Sequence, residues 1–469
     1  MQSDTKNQDY NRLLFIITLL AGTFTMSISQ SSLSTAYPLL MKFFSIPASS
    51  VQWLTTGFML IMCVMMPISP WLLSNMKFKS IYLMVLIFFD VGTLIIYLAP
   101  SFPIMLLGRA LEAIGVGILF PSFQIVLLRI TPEGQRGSVM GAAGLVMGSA
   151  LAVGPIISGI VLKFMTWRGL FLVFMVIITI IIILALFFIK SVMPLKTTKL
   201  DLISVICLVG FIGILYVINL VGQKGVNWPL AWIILIISIL AVTWFVVRQF
   251  HLETPLLNLN VLKTFNFDLA VLLTGASYIA LIVVTIIFPL YYQNVLGVSP
   301  FISGMALVPG AIFLSILNPI TGKLADKIGF KTVMLIGMVM IVIGWGILSL
   351  QHQQSSLLAM ILLAALIEGG NAFVMMPAVT LGANSLPDDL ISHGTAVITT
   401  TRQILGSTGV MVATLILANS TASHFHLGMT HALATLSGFH AVFITFFAIE
   451  VVGLLIALML KNTHKKVAN

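Results

Sequence analysis

The sequence predicts an all-α polytopic membrane protein with fourteen spans. Three observations carry that prediction. Of 469 residues, 59% are hydrophobic and only 8% charged, with a mean hydropathy of +1.14, too few polar side chains to clothe a water-soluble globule. Apolar stretches of about twenty residues, the length that crosses a bilayer, recur along the whole chain. The lysines and arginines between them fall mostly on alternate loops.

In order, the apolar stretches cover residues 13–35, 51–73, 80–98, 104–127, 139–162, 170–189, 202–222, 229–247, 268–290, 303–322, 332–350, 357–382, 391–418 and 438–460. The first already holds a bilayer's worth of residues and no small-residue cleavage site follows it, so it is expected to be a retained span. Of the 23 Lys and Arg, seventeen fall on the side that carries both termini and four on the other, while Arg109 and Arg402 lie inside spans. A single miscounted span would invert every later loop and destroy this asymmetry. Both termini are therefore expected on the cytoplasmic side of the cell membrane. The net charge of +10 is accounted for by these flanks and implies no nucleic acid. Cys63 and Cys207 sit in apolar runs, where a free thiol behaves as a small hydrophobe, and imply neither a disulfide framework nor a metal site.

Two polar linkers, KSVMPLKTTKLD at 190–201 and RQFHLETPLLNLNVLKTFNFD at 248–268, divide the spans into six, two and six. The expected organisation is an amino-terminal six-helix bundle (1–189), a linker with two additional transmembrane helices (190–267) and a carboxyl-terminal six-helix bundle (268–469). Repeated bundles are a transporter architecture. The fifth span is unusual for its small residues: GSALAVGPIISG at 148–159 carries Gly148, Gly154 and Gly159 around Pro155, with Gly144 just before. In a bilayer, small residues let helix backbones approach closely, and a proline kink is tolerated. Such a helix suits a sliding or bending surface, or tight static packing.

Several motifs resemble the major facilitator superfamily, specifically its fourteen-helix drug:proton antiporter family. GKLADKIGFK, 322–331, resembles the superfamily's loop Gly-x-Leu-Ala-Asp-Arg-x-Gly-Arg-Lys, with Gly322, Asp326 and Gly329 in place. Its glycines allow a tight turn, and Asp326 is suited to a basic partner or a helix N-terminus. The equivalent loop of the first bundle, PWLLSNMKFK, has Pro70, Ser74 and Lys77 where the pattern has Gly, Asp and Gly. The fifth-span stretch resembles the antiporter motif Gly-x-x-x-Gly-Pro-x-x-Gly-Gly through Gly154 and Pro155. RALEAIGVG, RITPEGQRG, TWRGLF, ETPLL, YYQNVLGVSPFISGMALVPG and TTTRQILGSTG extend the likeness over nearly the whole chain.

The resemblance implies a major facilitator fold exporting lipophilic, cationic drugs or toxic compounds in exchange for protons by alternating access. Such a carrier needs a sequestered carboxylate where proton and substrate compete. Nine of the thirteen Asp and Glu fall in the tail, loops or helix mouths, leaving Asp90, Glu112, Glu368 and Glu450 inside spans. The fold places the first and fourth helices of each bundle around the cavity, which favours Glu112 and Glu368 and leaves Asp90 and Glu450, with Arg402, as secondary candidates. Arg109, three residues before Glu112 and so on the same face, matches the family's proton-linked arginine. Glu112 stands where the family mostly has Gln. The pair reads as a proton site or as a permanently neutralised ion pair. In the first helix, ISQSSLSTAYP puts Ser29 and Ser34 where the family shows Asp and Asn, so the usual carboxylate there is missing.

Proton coupling is accordingly expected at Glu112, Arg109 and Glu368. The cavity is expected to be lined by Ser29, Gln30, Ser34, Glu112, Glu368 and Asn371, and gating to rest on Gly154, Pro155, Gly322, Asp326 and Gly329. Tyr291 and Tyr292 are expected in the outer aromatic belt, and His424, His426 and His431 in an outside loop. No metal and no cofactor is expected beyond a proton gradient. The partners expected are small lipophilic substrates, protons and membrane lipids, with a monomer as the working form. No nucleotide-phosphate loop, nucleophile elbow or HExxH motif suggests an enzyme. Two rival readings share the fold: an exporter or flippase of an endogenous lipid or metabolite, and a non-transporting membrane sensor.

Overall fold

The computed structural model describes residues 11–46, 48–220, 226–351 and 353–461, apart from a few side chains within helices, that of Ser34 among them. These residues form helices and connecting turns, with no strand among them. Fourteen helices follow the apolar stretches: α1 (Arg12–Phe44), α2 (Trp53–Asn75), α3 (Phe78–Leu98), α4 (Phe102–Ile130), α5 (Arg136–Phe164), α6 (Trp167–Phe188), α7 (Leu202–Ile218), α8 (Trp228–His251), α9 (Phe265–Asn294), α10 (Val308–Ile328), α11 (Phe330–Leu350), α12 (Leu357–Asn384), α13 (Ile391–His426) and α14 (His431–Met459). Thirteen are long and apolar enough to cross a membrane; α7 is shorter, and the residues that follow at 221–225 lie outside those described.

Caps and turns set several boundaries. Asn11 Oδ1 accepts from the amides of Leu13 and Leu14 at the start of α1. Gly329 alone separates α10 from α11, and its φ of 93° is a backbone conformation that a side chain would strain. Pro38, Pro121, Pro155, Pro289, Pro319 and Pro377 lie inside helices, where water would make them costly and a bilayer with helix neighbours does not.

The helices gather into two compact units. The first contains the described residues of Met1–Ile130, Val153–Ile212 and Ala241–Leu259; the second contains those of Thr131–Ala152, Gly213–Leu240 and Asn260–Asn469, so that α5, α7 and α8 are each divided between them. Within the first, α4 packs on α1, α2 and α3, and α6 on α1 and α3; within the second, α12 packs on α9, α10 and α11, and α14 on α9 and α11. Adding eight to each helix number of the first set gives the second, so one packing pattern is used twice. Small details repeat with it. Lys79 Nζ donates to the Leu186 carbonyl at the end of α6 (2.5 Å), and Lys331 Nζ donates to the Leu458 carbonyl at the end of α14 (3.1 Å). Lys79 and Lys331 close the two copies of the loop motif, and each places a cation on the negative end of a helix.

The second unit's core is strongly aromatic. Trp345, Phe288, Phe443 and Phe446 stack in tilted or edge-on pairs at 5.6–6.4 Å. Tyr291 and Tyr292 belong to this core, at 1% and 0% exposure, rather than to the expected aromatic belt. Tyr291 packs on Phe439 and Phe443 of α14, its Oη accepting from the Ser355 amide at 2.9 Å, and Tyr292 packs edge-on against Phe288 one turn back.

Candidate functional site

In the first unit the ionisable centre lies on α4, whose apolar span is 89% buried. Glu112 is fully sealed, and both carboxylate oxygens are engaged: Arg109 Nη1 donates to Oε2 at 2.5 Å and Thr93 Oγ1 to Oε1 at 2.7 Å. The three-residue spacing puts both side chains on one face, and Gly92 and Gly108 let α3 and α4 approach until Thr93 reaches the carboxylate. A Cβ on Gly92 would stand 2.7 Å from the Gly108 carbonyl and 2.9 Å from Glu112 Cγ. Arg109 turns toward α2, with Nε donating to the Leu54 carbonyl at 3.3 Å and its guanidinium 4.2 Å over the Phe58 ring. Its Nη2 is buried with no hydrogen-bond partner. The geometry is thus that of a closed ion pair, one of the two readings open from the sequence.

Other predicted residues of this unit are more dispersed. Ser29 is buried with its hydroxyl unpartnered, Gln30 is half-buried, and the Ser34 side chain lies outside what is described. Ser31 and Ser32 return their hydroxyls to the α1 carbonyls of Ile28 and Ser29. Asp90 accepts from Thr179 on α6 at 3.1 Å, so it faces a neighbouring helix. Gly154 meets Ser31 so closely that a Cβ would collide with the serine hydroxyl and stand 3.0 Å from the Ser32 amide. One turn on, Thr35 and Ser158 share a hydrogen bond. Gly159 faces open space.

The degenerate loop of the first unit has a role that the sequence did not reveal. Trp71, Ser74 and Asn75 grip the 190–201 linker. Asn75 accepts from the Thr198 amide (2.7 Å) and donates to its hydroxyl (2.9 Å), Trp71 Nε1 donates to the Thr198 carbonyl (3.2 Å), and Ser74 O accepts from Lys196 N (2.7 Å). Asp201 at the linker's end takes Arg248 Nε and Nη2 at 2.6 and 3.0 Å, tying α7 to α8. The Arg248 guanidinium holds the Asp201 carboxyl below the usual range.

In the second unit, the predicted gating aspartate meets a helix N-terminus. Asp326 Oδ1 accepts from the Gly137 amide at 3.0 Å, and Oδ2 from the Ser138 amide and hydroxyl, both at 2.8 Å. These are first-turn amides of α5, which have no partner within the helix. Above them, α5 and α10 lie backbone to backbone along a glycine ladder. A Cβ on Gly137 would stand 2.6 Å from Gly322 O, one on Gly141 2.5 Å from Asn318 O, and one on Gly148 3.1 Å from Ser315 Oγ. The small residues at 137, 141, 144 and 148 therefore serve close packing against α10, while Gly154 and Pro155 belong to the other unit.

Glu368 sits mid-helix on α12 at 3% exposure. Its Oε2 is sealed and unpartnered, and it crowds Gly310 of α10, where a Cβ would stand 2.7 Å from that oxygen. Asn371 reaches from the same helix to the Ser277 carbonyl of α9 at 2.8 Å and keeps Oδ1 without a partner. Arg402 on α13 is 1% exposed beside Tyr278, and Glu450 on α14 is fully buried with neither oxygen bonded. His424 and His426 lie in the last turn of α13 and His431 in the first turn of α14, so they are helical rather than in the expected loop. His424 Nδ1 is committed to the Ser420 carbonyl at 2.7 Å.

An all-helical membrane chain that uses one bundle pattern twice and seals ionisable side chains at mid-helix has the architecture of a membrane carrier. The chain belongs to the Major Facilitator Superfamily, whose sequence pattern matches residues 19–411. It is 35% identical to the uncharacterized MFS-type transporter YcnB of Bacillus subtilis, over 99% of this chain and 98% of that one. It is 32% identical to the lincomycin resistance protein LmrB of Listeria innocua, over 98% and 99%. Among solved structures, the human organic anion transporter MFSD10 (TETRAN) superposes with a TM-score of 0.69 over 95% of this chain and 99% of that one. At 11% identity, that match speaks to the fold alone.

Proposed function

We propose that this transporter exports lipophilic, cationic compounds from the cytoplasmic side in exchange for protons, by alternating access, with Glu368 as the coupling carboxylate. It works as a monomer in the cell membrane with both termini cytoplasmic, as six, two and six helices. The likeness to a lincomycin resistance protein supports drug export, and the distribution of lysine and arginine supports the orientation. One observation carries the choice of Glu368 over Glu112: it is a sealed carboxyl with no cation and no donor on Oε2, whereas Glu112 already has Arg109 and Thr93. Glu450 is equally bare, but it lies on the sixth helix of its six, away from the first and fourth helices that line the cavity in the family's fold. A carboxyl so placed is free to hold a proton or a cationic group, one at a time, which is the competition that antiport requires. Glu112 and Arg109 then act as an internal clamp between α4, α3 and α2.

The test is uptake of a fluorescent lipophilic cation by proteoliposomes under an imposed pH gradient, with Glu368→Gln and Glu112→Gln alongside the native chain. Glu368→Gln is expected to lower gradient-driven flux at least about tenfold, the loss of one charge-assisted contact, while equilibrating exchange of the cation persists. Native flux indifferent to the gradient across a panel of cations would overturn the antiport reading in favour of lipid export or a non-transporting sensor. Full flux in Glu368→Gln would move the coupling site elsewhere.

A further inference from the structure

We infer that Arg402 receives an acidic group, carboxylate or phosphate, of the transported compound, which extends the proposed substrate class to amphipathic zwitterions. The inference rests on the export reading above and adds a second pole to the same unit. Arg402 stands twelfth in α13, roughly 16 Å along the helix at 1.5 Å per residue. It is 1% exposed, and its Nε and Nη1 are sealed with no hydrogen-bond partner. Neither of the ion pairs described above, Arg109–Glu112 and Arg248–Asp201, involves it. The contact its guanidinium does make is 5.2 Å over the Tyr278 ring.

A cation–π contact recovers only a small part of what a sealed guanidinium loses on leaving water. The comparison with Arg109 is direct. That residue is equally buried and also lies over an aromatic ring, but it has Glu112 and the Leu54 carbonyl as acceptors. Arg402 has the ring without the acceptors. Its planar fork matches a carboxylate or phosphate in two-pronged fashion, so the missing partner is an anion brought from outside the chain.

The surroundings are polar. Thr400 Oγ1, two residues earlier, is also buried and unpartnered, and Tyr278 Oη donates to Gln403 Oε1 at 3.2 Å. On the adjacent residue of α9, the Ser277 carbonyl takes Asn371 Nδ2 from α12, one turn beyond Glu368. A carboxyl and a guanidinium thus stand on two helices, α12 and α13, that both engage α9 at residues 277–278. A compound with an amine and an acid separated by an apolar body can address Glu368 with one end and Arg402 with the other.

The test uses the purified full-length protein in phosphatidylcholine nanodiscs and two pyrene probes, pyrenebutyrate and its neutral amide, read by equilibrium binding. The acid is expected to bind about tenfold or more tighter than the amide, the worth of one charge-assisted pair. Arg402→Gln brings the acid down to the amide, and Arg402→Lys keeps part of the preference as a point charge. Equal affinity of the two probes for the native protein overturns the inference, as does a preference that survives in Arg402→Gln. Should the Gln variant not fold, the native comparison and Arg402→Lys decide. Loss of the acid's preference in phosphatidylglycerol nanodiscs assigns the site to a lipid headgroup and equally overturns the inference, whereas excess inorganic phosphate is expected to displace the acid as a competitor for the same guanidinium. Gradient-driven flux without an acid preference sinks the Arg402 assignment and leaves export standing. An acid preference without gradient-driven flux does the reverse.

Discussion

Replacing Asp326 by Asn should loosen the start of α5. The carboxylate accepts three hydrogen bonds there, from the amides of Gly137 and Ser138 and from the Ser138 hydroxyl, at 2.8–3.0 Å. An asparagine of the same shape keeps one acceptor oxygen, presents an NH₂ where the other stood, and removes the negative charge from the helix N-terminus. Bonds to a charged acceptor are worth about 1.5–3 kcal/mol each, and the charge at a helix end about 0.3–1 kcal/mol. With one acceptor kept and some relaxation allowed, the local loss is about 2 kcal/mol. At about 1.4 kcal/mol per factor of ten, that amounts to roughly a thirtyfold rise in local opening. Hydrogen exchange of the purified protein, followed by mass spectrometry on peptides covering 131–145, reads this directly. Peptides from α3 and α4, in the other unit, serve as the internal control. Exchange at Gly137 and Ser138 that stays within about threefold of the native rate would refute the role given to Asp326. Acceleration throughout the protein would mean general destabilisation instead.

Two further outcomes follow from the same structure. Gly141→Val drives a side chain into the backbone of Asn318, Pro319 and Gly322, an overpacking that costs about 1–3 kcal/mol or more, whereas Gly159→Val meets nothing within 4 Å; thermal unfolding in detergent should fall for the first and hardly move for the second, and equal effects would contradict the ladder. Because Arg248 holds the folded-state pKa of Asp201 below its unfolded value, the pair's contribution is present above the ordinary carboxylate range, about pH 4, and fades as pH falls through the lower folded value. Asp201→Asn should therefore unfold earlier than the native chain at pH 7 and converge with it in acid, and a gap unchanged down to pH 3 would refute the pair's role.

Much of this protein is written in local sequence. Span length and apolar content located all fourteen helices to within a few residues at most ends, because a bilayer demands about twenty apolar residues whatever the neighbours are. The GKLADKIGFK motif announced a tight turn, and Gly329 with its φ of 93° makes it. The Arg109 and Glu112 spacing announced a pair, since residues three apart share a helix face. Burial of Tyr291 and Tyr292 was not legible, because an aromatic at a helix end reads alike whether it turns to lipid or to a core.

What only the tertiary structure decided is which partners distant residues find. Thr93 completes Glu112 from 19 residues away, Asn75 holds Thr198 across 123, and Asp326 holds Gly137 and Ser138 across nearly 190. Glu112 and Glu368 look alike in sequence, each an acid in an apolar fourth helix of its six. The fold gives one of them an arginine and a threonine, and leaves the other's Oε2 bare. In the same way it supplies Arg109 with acceptors and leaves Arg402 without them. The physical reason is that hydropathy acts through each segment's own transfer into the bilayer, whereas the state of a buried charge depends on which atoms long-range packing places within 3 Å of it.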